Sequence, residues 1–242
     1  MEQGLATEGR VVVAETGAFA RAAASELAAR ICEIASTNRR VTIALAGGTT
    51  PRPVYARLAG DSAVPWHMVD LYFGDERCVP PDDPDSNYRM ARETLIEAAG
   101  IPPERVHRIE AERPDREAAA LEYGRMLPDR LDILLLGIGE DGHTAALFPG
   151  SAALFERGVR VMPVRGAKPP HDRMTITPIV IQSSATVVVL ATGAHKARAV
   201  AGALRGPVDV SVCPAQFARR GLWLLDHEAA AGLGTSSVKD ET

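Results

Sequence analysis

Cysteine is scarce in this chain: Cys32, Cys78 and Cys213 are its three cysteines in 242 residues, and they stand far apart with no CxxC or Cys/His ligand spacing. That argues against a disulfide framework and a structural zinc site, and predicts a reducing, cytoplasmic compartment. Long apolar runs are missing as well. No window approaches the roughly 18 to 20 apolar residues of a membrane span, and the polar stretch 1–10 has no apolar core of signal-peptide length. A soluble protein with no membrane partner is expected. Charge of one sign is not in excess either, with 27 Lys and Arg against 31 Asp and Glu. The basic residues are scattered, so no face for nucleic acid is predicted. No internal repeat and no Gly/Ser-rich linker interrupts the body.

What is present is a chain 46% hydrophobic and 24% charged, long enough for a well-buried domain. Short apolar runs rich in β-branched residues predict strands at 10–14, 41–46, 69–73, 131–136, 159–164, 186–191 and 222–225. Helical patterns lie between them at 18–35, 53–59, 87–98, 115–126 and 195–204, with Thr16 and Ser86 where N-caps belong. Alternation of this kind forces crossover connections, so the fold class is α/β: a mostly parallel, Rossmann-like sheet with helices on both faces. One domain over 1–228 is expected. The stretch 229–242 is small and polar, and is predicted to fray.

Ligands of open parallel sheets bind beyond the carboxyl ends of the strands, so the residues after each strand carry the functional information. Four places stand out. The turn Ala46-Gly47-Gly48-Thr49-Thr50-Pro51 enters a helix with Pro51 in its first turn. Its exposed amides and threonine hydroxyls, with the positive helix end, suit a phosphate, although a tight turn with threonine capping would read alike. It lacks the GK[ST] ending of a Walker loop. Gly74-Asp75-Glu76-Arg77 sets two carboxylates and a guanidinium at a strand end, which by itself is no more than a surface ion pair.

The third place, Gly137-Ile138-Gly139-Glu140-Asp141-Gly142-His143-Thr144, contains a formal G-x-G-x-x-G. It is not a dinucleotide loop, because Pro149 and Gly150 cut off any helix starting near His143 after about two turns. It delivers Asp141 and His143 together to the rim of the sheet. A neutral imidazole can take a proton from water near pH 7, and a neighbouring carboxylate can fix its tautomer. His67, His107, His171, His195 and His227 lack this setting. The fourth place, Gly193-Ala194-His195-Lys196-Ala197-Arg198, puts Lys196 in the first turn of a helix, where the dipole disfavours a cation and a bound anion would remove the conflict. Arg173 supplies another cation ahead of a further strand.

In this order the chain resembles the 6-phosphogluconolactonase family, part of a wider group of sugar-phosphate enzymes that includes glucosamine-6-phosphate deaminases. The resemblance covers almost the whole chain. It rests on Gly47-Gly48-Thr49-Thr50-Pro51, Gly74-Asp75-Glu76-Arg77, Asp85-Ser86-Asn87-Tyr88, the run 137–151, Pro169-Pro170 with Arg173-Met174-Thr175, and Gly193 with Lys196-Ala197. It implies hydrolysis of 6-phosphogluconolactone to 6-phosphogluconate in the oxidative branch of the pentose phosphate pathway. It also implies that Gly47, Gly48, Thr49, Thr50, Arg173 and Lys196 hold the phosphate, that Asp75 and Arg77 line the sugar pocket, and that His143 is the general base. Asp141 and Asp75 are the carboxylates that would orient His143 or the water. Ala46 and Ala146 depart from the pattern, each standing where such proteins usually carry Ser.

No metal or organic cofactor is implied, since an ester is already electrophilic. The expected partner is a small phosphorylated sugar lactone, and the expected state a monomer or weak homo-oligomer. Two other functions stay open. Glucosamine-6-phosphate deamination would resemble an Ile-Ala-Phe-Asn-Glu type run after the histidine, whereas this chain reads Thr144-Ala145-Ala146-Leu147-Phe148-Pro149-Gly150 and lacks that Glu. A non-catalytic sugar-phosphate sensor would keep the cations and need no base.

Overall fold

The computed structural model describes residues 9–234. Six strands, β1 (Arg10–Ala14), β2 (Val41–Leu45), β3 (Val69–Phe73), β5 (Ile133–Gly137), β8 (Thr186–Ala191) and β9 (Leu222–Asp226), form one parallel sheet. Its order is β1-β9-β8-β5-β2-β3. Strands at the centre of such a sheet are covered on both faces, which is why they read as unbroken apolar runs. Ile43, Leu45, Leu71, Ile133 and Leu135 share one face and meet Leu27, Ile31, Leu58 and Leu95 of the covering helices. Each buried leucine or isoleucine contributes roughly 1.5–3 kcal/mol.

Flanking helices are α1 (Phe19–Ala35), α2 (Pro51–Ala59), α3 (Asn87–Ala91), α4 (Arg116–Met126), α5 (Pro178–Ser183), α6 (Ala197–Arg205) and α7 (His227–Ala230). Ser86 caps α3 as its sequence suggests, its hydroxyl accepting from Arg89 N at 3.1 Å. Thr16 does not cap: it opens a 3-10 turn, Thr16–Ala18, and α1 starts without a side-chain cap. The expected helix 87–98 is α-helical only to Ala91 and continues as a π-turn over Arg92–Ile96.

The strand expected over 159–164 forms as β6 (Val161–Arg165) outside the parallel sheet. It belongs to a separate antiparallel sheet, β4-β7-β6, with β4 (Asp75–Arg77) and β7 (Asp172–Ile176). Pro163 fits the edge position of β6 in that sheet, because a proline within a strand has no amide to donate. Residues 75–77, expected as a loop, are thus a strand, and Arg173 lies within β7 rather than ahead of it. The fraying expected from 229 is not seen in the described part of that stretch: Ala229 and Leu233 are buried against the body. Residues 235–242 lie outside those described.

The chain order places the site. From β2 the chain crosses α2 to β3 on one side, while β5, on the other side of β2, leads on to β8 and β9. The carboxyl ends of β2 and β5 therefore lie side by side where the connections diverge, and a crevice opens at such a point.

Candidate active site

The β2 end is held from beneath. Tyr55 of α2 is fully buried, and its hydroxyl donates to Ala46 O and accepts from Ala46 N, each at 2.9 Å. Burial pushes this phenol well above its ordinary value, so it stays neutral and serves both bonds. Gly48 then turns with φ +98°, a conformation that favours glycine. Gly47 has a different constraint, since a Cβ there would overlap the Asn87 side chain. Thr50 Oγ1 reaches Thr192 Oγ1 at 3.1 Å and joins this turn to the end of β8. Pro51 opens α2, and Thr50 and Pro51 bring the start of that helix to the crevice.

In β4, alternation separates the two carboxylates that the sequence placed together. Glu76 points away and accepts from Arg77 N and Asn87 N at 2.7 Å, Tyr88 N at 2.8 Å and Ser86 Oγ at 3.1 Å. Burial pushes its carboxyl up and these backbone bonds pull it partly back. Glu76 thus holds the start of α3, and Asn87 there donates to Asp75 O at 2.9 Å. Asp75 and Arg77 point into the crevice instead. Arg77 is the register partner of Arg173 across β4 and β7. Like charges directly opposite on a sheet repel, and an anion between them reverses the sign. Burial pushes the Arg173 guanidinium down, Asp75 raises it, and Arg77 lowers it again.

The β5 turn folds tightly. Gly139 N donates to His143 O at 2.8 Å, and Gly142 has φ +84°. His143 Nδ1 lies 2.5 Å from Asp141 Oδ1, whose oxygen also accepts from His143 N at 3.2 Å. A Cβ at Gly139 would overlap both partners of this pair, so glycine is required beneath it. Burial raises the Asp141 carboxyl, but His143 outweighs that and leaves it below the usual carboxylate range. The turn is braced from behind by Ala215 N, which donates to Gly142 O at 2.9 Å.

After β8, Gly193 turns with φ +90° and its amide donates to both oxygens of Asp226, at 3.0 and 3.1 Å. Asp226 is buried and also accepts from Ala229 N at 2.8 Å, capping α7. This aims Lys196 into the crevice. Burial pushes its ammonium below the ordinary lysine value, Glu140 and Asp141 pull it up, and Lys168 lowers it.

The result is a single cleft of about 360 Å³. Gly47, Gly48, Thr49, Thr50, Asp75, Arg77, His143, Arg173 and Lys196 all line it, while Asp141 stands behind His143. Sequence reasoning passed over Thr192, Glu140 and His195, which line the cleft too. It also missed the supports Tyr55, Asn87 and Asp226. Asp226 sits at a strand end and could have been found by the rule applied to the other strands; Tyr55 and Asn87 carry no such signal.

Together the switch-point crevice and its cations define an α/β protein built to hold a small anionic ligand at the carboxyl edge of a parallel sheet. Residues 14–224 match the model of the family glucosamine-6-phosphate isomerases/6-phosphogluconolactonase, and the chain belongs to that family. A 6-phosphogluconolactonase of Streptomyces coelicolor is 37% identical over 240 residues, covering 90% of this chain and 92% of its own. One from Mycobacterium leprae is 38% identical, with 87% and 92% covered. The solved 6-phosphogluconolactonase of Trypanosoma brucei superposes with a TM-score of 0.83 at 34% identity, over 94% of this chain and all of that one. A monomeric glucosamine-6-phosphate deaminase matches with TM-score 0.81 at 24% identity, a likeness of fold alone.

Proposed function

We propose that the chain hydrolyses 6-phosphogluconolactone to 6-phosphogluconate, with His143 as general base. The observation that carries this reading is the convergence in one cleft of an Asp141-held imidazole with three cations and the glycine-threonine turn. When the Nδ1 proton is donated to Asp141, Nε2 is left as an acceptor. It takes a proton from water as the water oxygen bonds to lactone C1. The C1–ring oxygen bond then breaks, the proton passes from Nε2 to that oxygen, and the new carboxylic acid ionises. General acid–base help of this kind is worth roughly 10² to 10⁴ in rate.

The phosphate is held away from C1 by the turn Gly47–Thr50 at the start of α2, with Arg173 and Lys196, while Asp75 and Arg77 contact the sugar. A fixed phosphate keeps C1 within reach of the water. The lack of a carboxylate in the run 144–150 separates the chain from the deaminase reading. Because the lactone also opens unaided, the test follows its loss by NMR with and without enzyme. Acceleration by the wild type and a return close to background in His143→Ala support the proposal. Thermal stabilisation by 6-phosphogluconate without any acceleration would replace it with a sensor.

A further inference from the structure

Phe148 does not line the cleft, yet it touches two residues that do. Its ring centroid is 5.0 Å from that of His143, with the planes tilted by 52°. The Arg173 guanidinium carbon stands 5.8 Å from the same ring. The far edge of the ring lies against Gly166, where a Cβ would come within 2.8 Å of Phe148 Cζ and 3.0 Å of Cε2. Gly166 starts the loop between β6 and β7, whose Pro170 O accepts from Arg173 Nε at 3.2 Å, and Gly166 N donates to His171 O at 2.7 Å. The ring reaches this place because the chain reverses just after His143. Leu147 N donates to Thr144 O at 2.9 Å, and Ala145 takes φ +48°, a left-handed conformation uncommon outside glycine.

We propose that Phe148 is a positioning residue that ties the base to the anion-binding arginine, so that one clamped ring fixes the spacing between the two ends of the substrate site. The inference rests on the lactonase reading above. A hydrogen bond at Nδ1 alone lets the imidazole tilt about that contact, and the ring beside it removes this freedom. On its other flank the ring limits where the Arg173 guanidinium can lie. The ring fills the space a side chain at Gly166 would need, so its place between the two partners depends on that residue being glycine.

The test uses the full-length protein. In Phe148→Leu, kcat is expected to fall roughly ten- to hundredfold, the scale of a misplacement of about 1 Å, and KM to rise several-fold. In an Arg173→Met background the extra KM rise on adding Phe148→Leu disappears, whereas the kcat loss remains; a residue serving packing alone would not give that split. Gly166→Ala pushes on the ring from behind, its methyl coming 2.8 Å from Phe148 Cζ and only within ordinary contact distance, 3.6 Å, of Arg173 Nε, and lowers kcat in turn. Phe148→Leu with kcat within about twofold of wild type overturns the proposal, and so does a KM rise undiminished by Arg173→Met. Should Phe148→Leu fail to fold, an unchanged kcat in Gly166→Ala overturns it alone. A wild type that does not accelerate lactone loss defeats the functional reading instead, and the two failures are told apart by that control.

Discussion

The Tyr123 hydroxyl closes a two-way bridge to Phe73, accepting from its amide at 2.7 Å and donating to its carbonyl at 3.0 Å, so that a helix side chain completes the last residue of β3. Both groups are buried. Gly74 and Asp75 follow at once, and the aim of Asp75 into the cleft depends on this anchor. Tyr123→Phe leaves a buried amide and carbonyl without partners, at about 1–3 kcal/mol. Urea unfolding checks the loss, and KM for the lactone should rise with it. Tyr55→Phe has the same expected effect at Ala46.

Two adjacent glycines are expected to fail for different reasons. Gly47→Ala drives a methyl into the Asn87 side chain, which holds the Asp75 carbonyl, so stability falls by roughly 1–3 kcal/mol and affinity falls too. At Gly48 no atom lies within 4 Å of the added methyl, but φ is +98°. Gly48→Ala is therefore a purely conformational strain of about 1–2 kcal/mol. Crystal structures of both variants check the distinction: Asn87 is displaced in the first and stays in place in the second.

Six of the seven expected strands lie in the parallel sheet, because runs such as Ile133–Gly137 are buried on both faces and show it in composition. The strand-end rule likewise brought out Gly47, Asp75, His143 and Lys196, since glycines and charges interrupt those apolar runs. The second sheet was harder to read. Asp75-Glu76-Arg77 has no apolar alternation, and its strand exists only because β7 pairs with it, a contact nearly a hundred residues away in sequence. For the same reason nothing local showed that Glu76 turns from the cleft or that Arg77 faces Arg173. Phe148 reads as an ordinary apolar residue until the turn at Ala145 folds it back on His143.

Lys196 gives a pH dependence of known sign. Burial holds its ammonium below the ordinary lysine value, so it loses its proton at a lower pH than a free lysine. Its desolvation opposes folding below the folded value, and that cost is relieved as pH rises through it. Anion binding needs the charged form and so weakens over the same range. The Kd of 6-phosphogluconate, measured by calorimetry across alkaline pH, should rise with a break on the acid side of about 10.4, the usual lysine value. In Lys196→Arg that break should be absent. A Kd flat to that pH in the wild type would remove Lys196 from the phosphate site.

Substitution at Asp141 separates its effect on stability from its effect on rate. Its carboxyl is held below the ordinary range by His143 against the opposing effect of burial. A depressed carboxyl adds stability above its unfolded value of about 3.9 and loses it as pH falls through the folded value. The wild type and Asp141→Asn should accordingly differ in stability at neutral pH and converge in acid. The side chain is 55% exposed, so the difference is small. Its effect on rate is larger. An amide at the same place can offer N–H to Nδ1, which moves the imidazole proton to Nε2 and removes the acceptor that water needs. We expect kcat to fall roughly 10²-fold or more, with KM little changed, because the phosphate contacts are untouched. Equal kcat in wild type and Asp141→Asn would mean that something other than this carboxylate sets the tautomer of His143, and Asp75, across the same cleft, would be the residue to replace next.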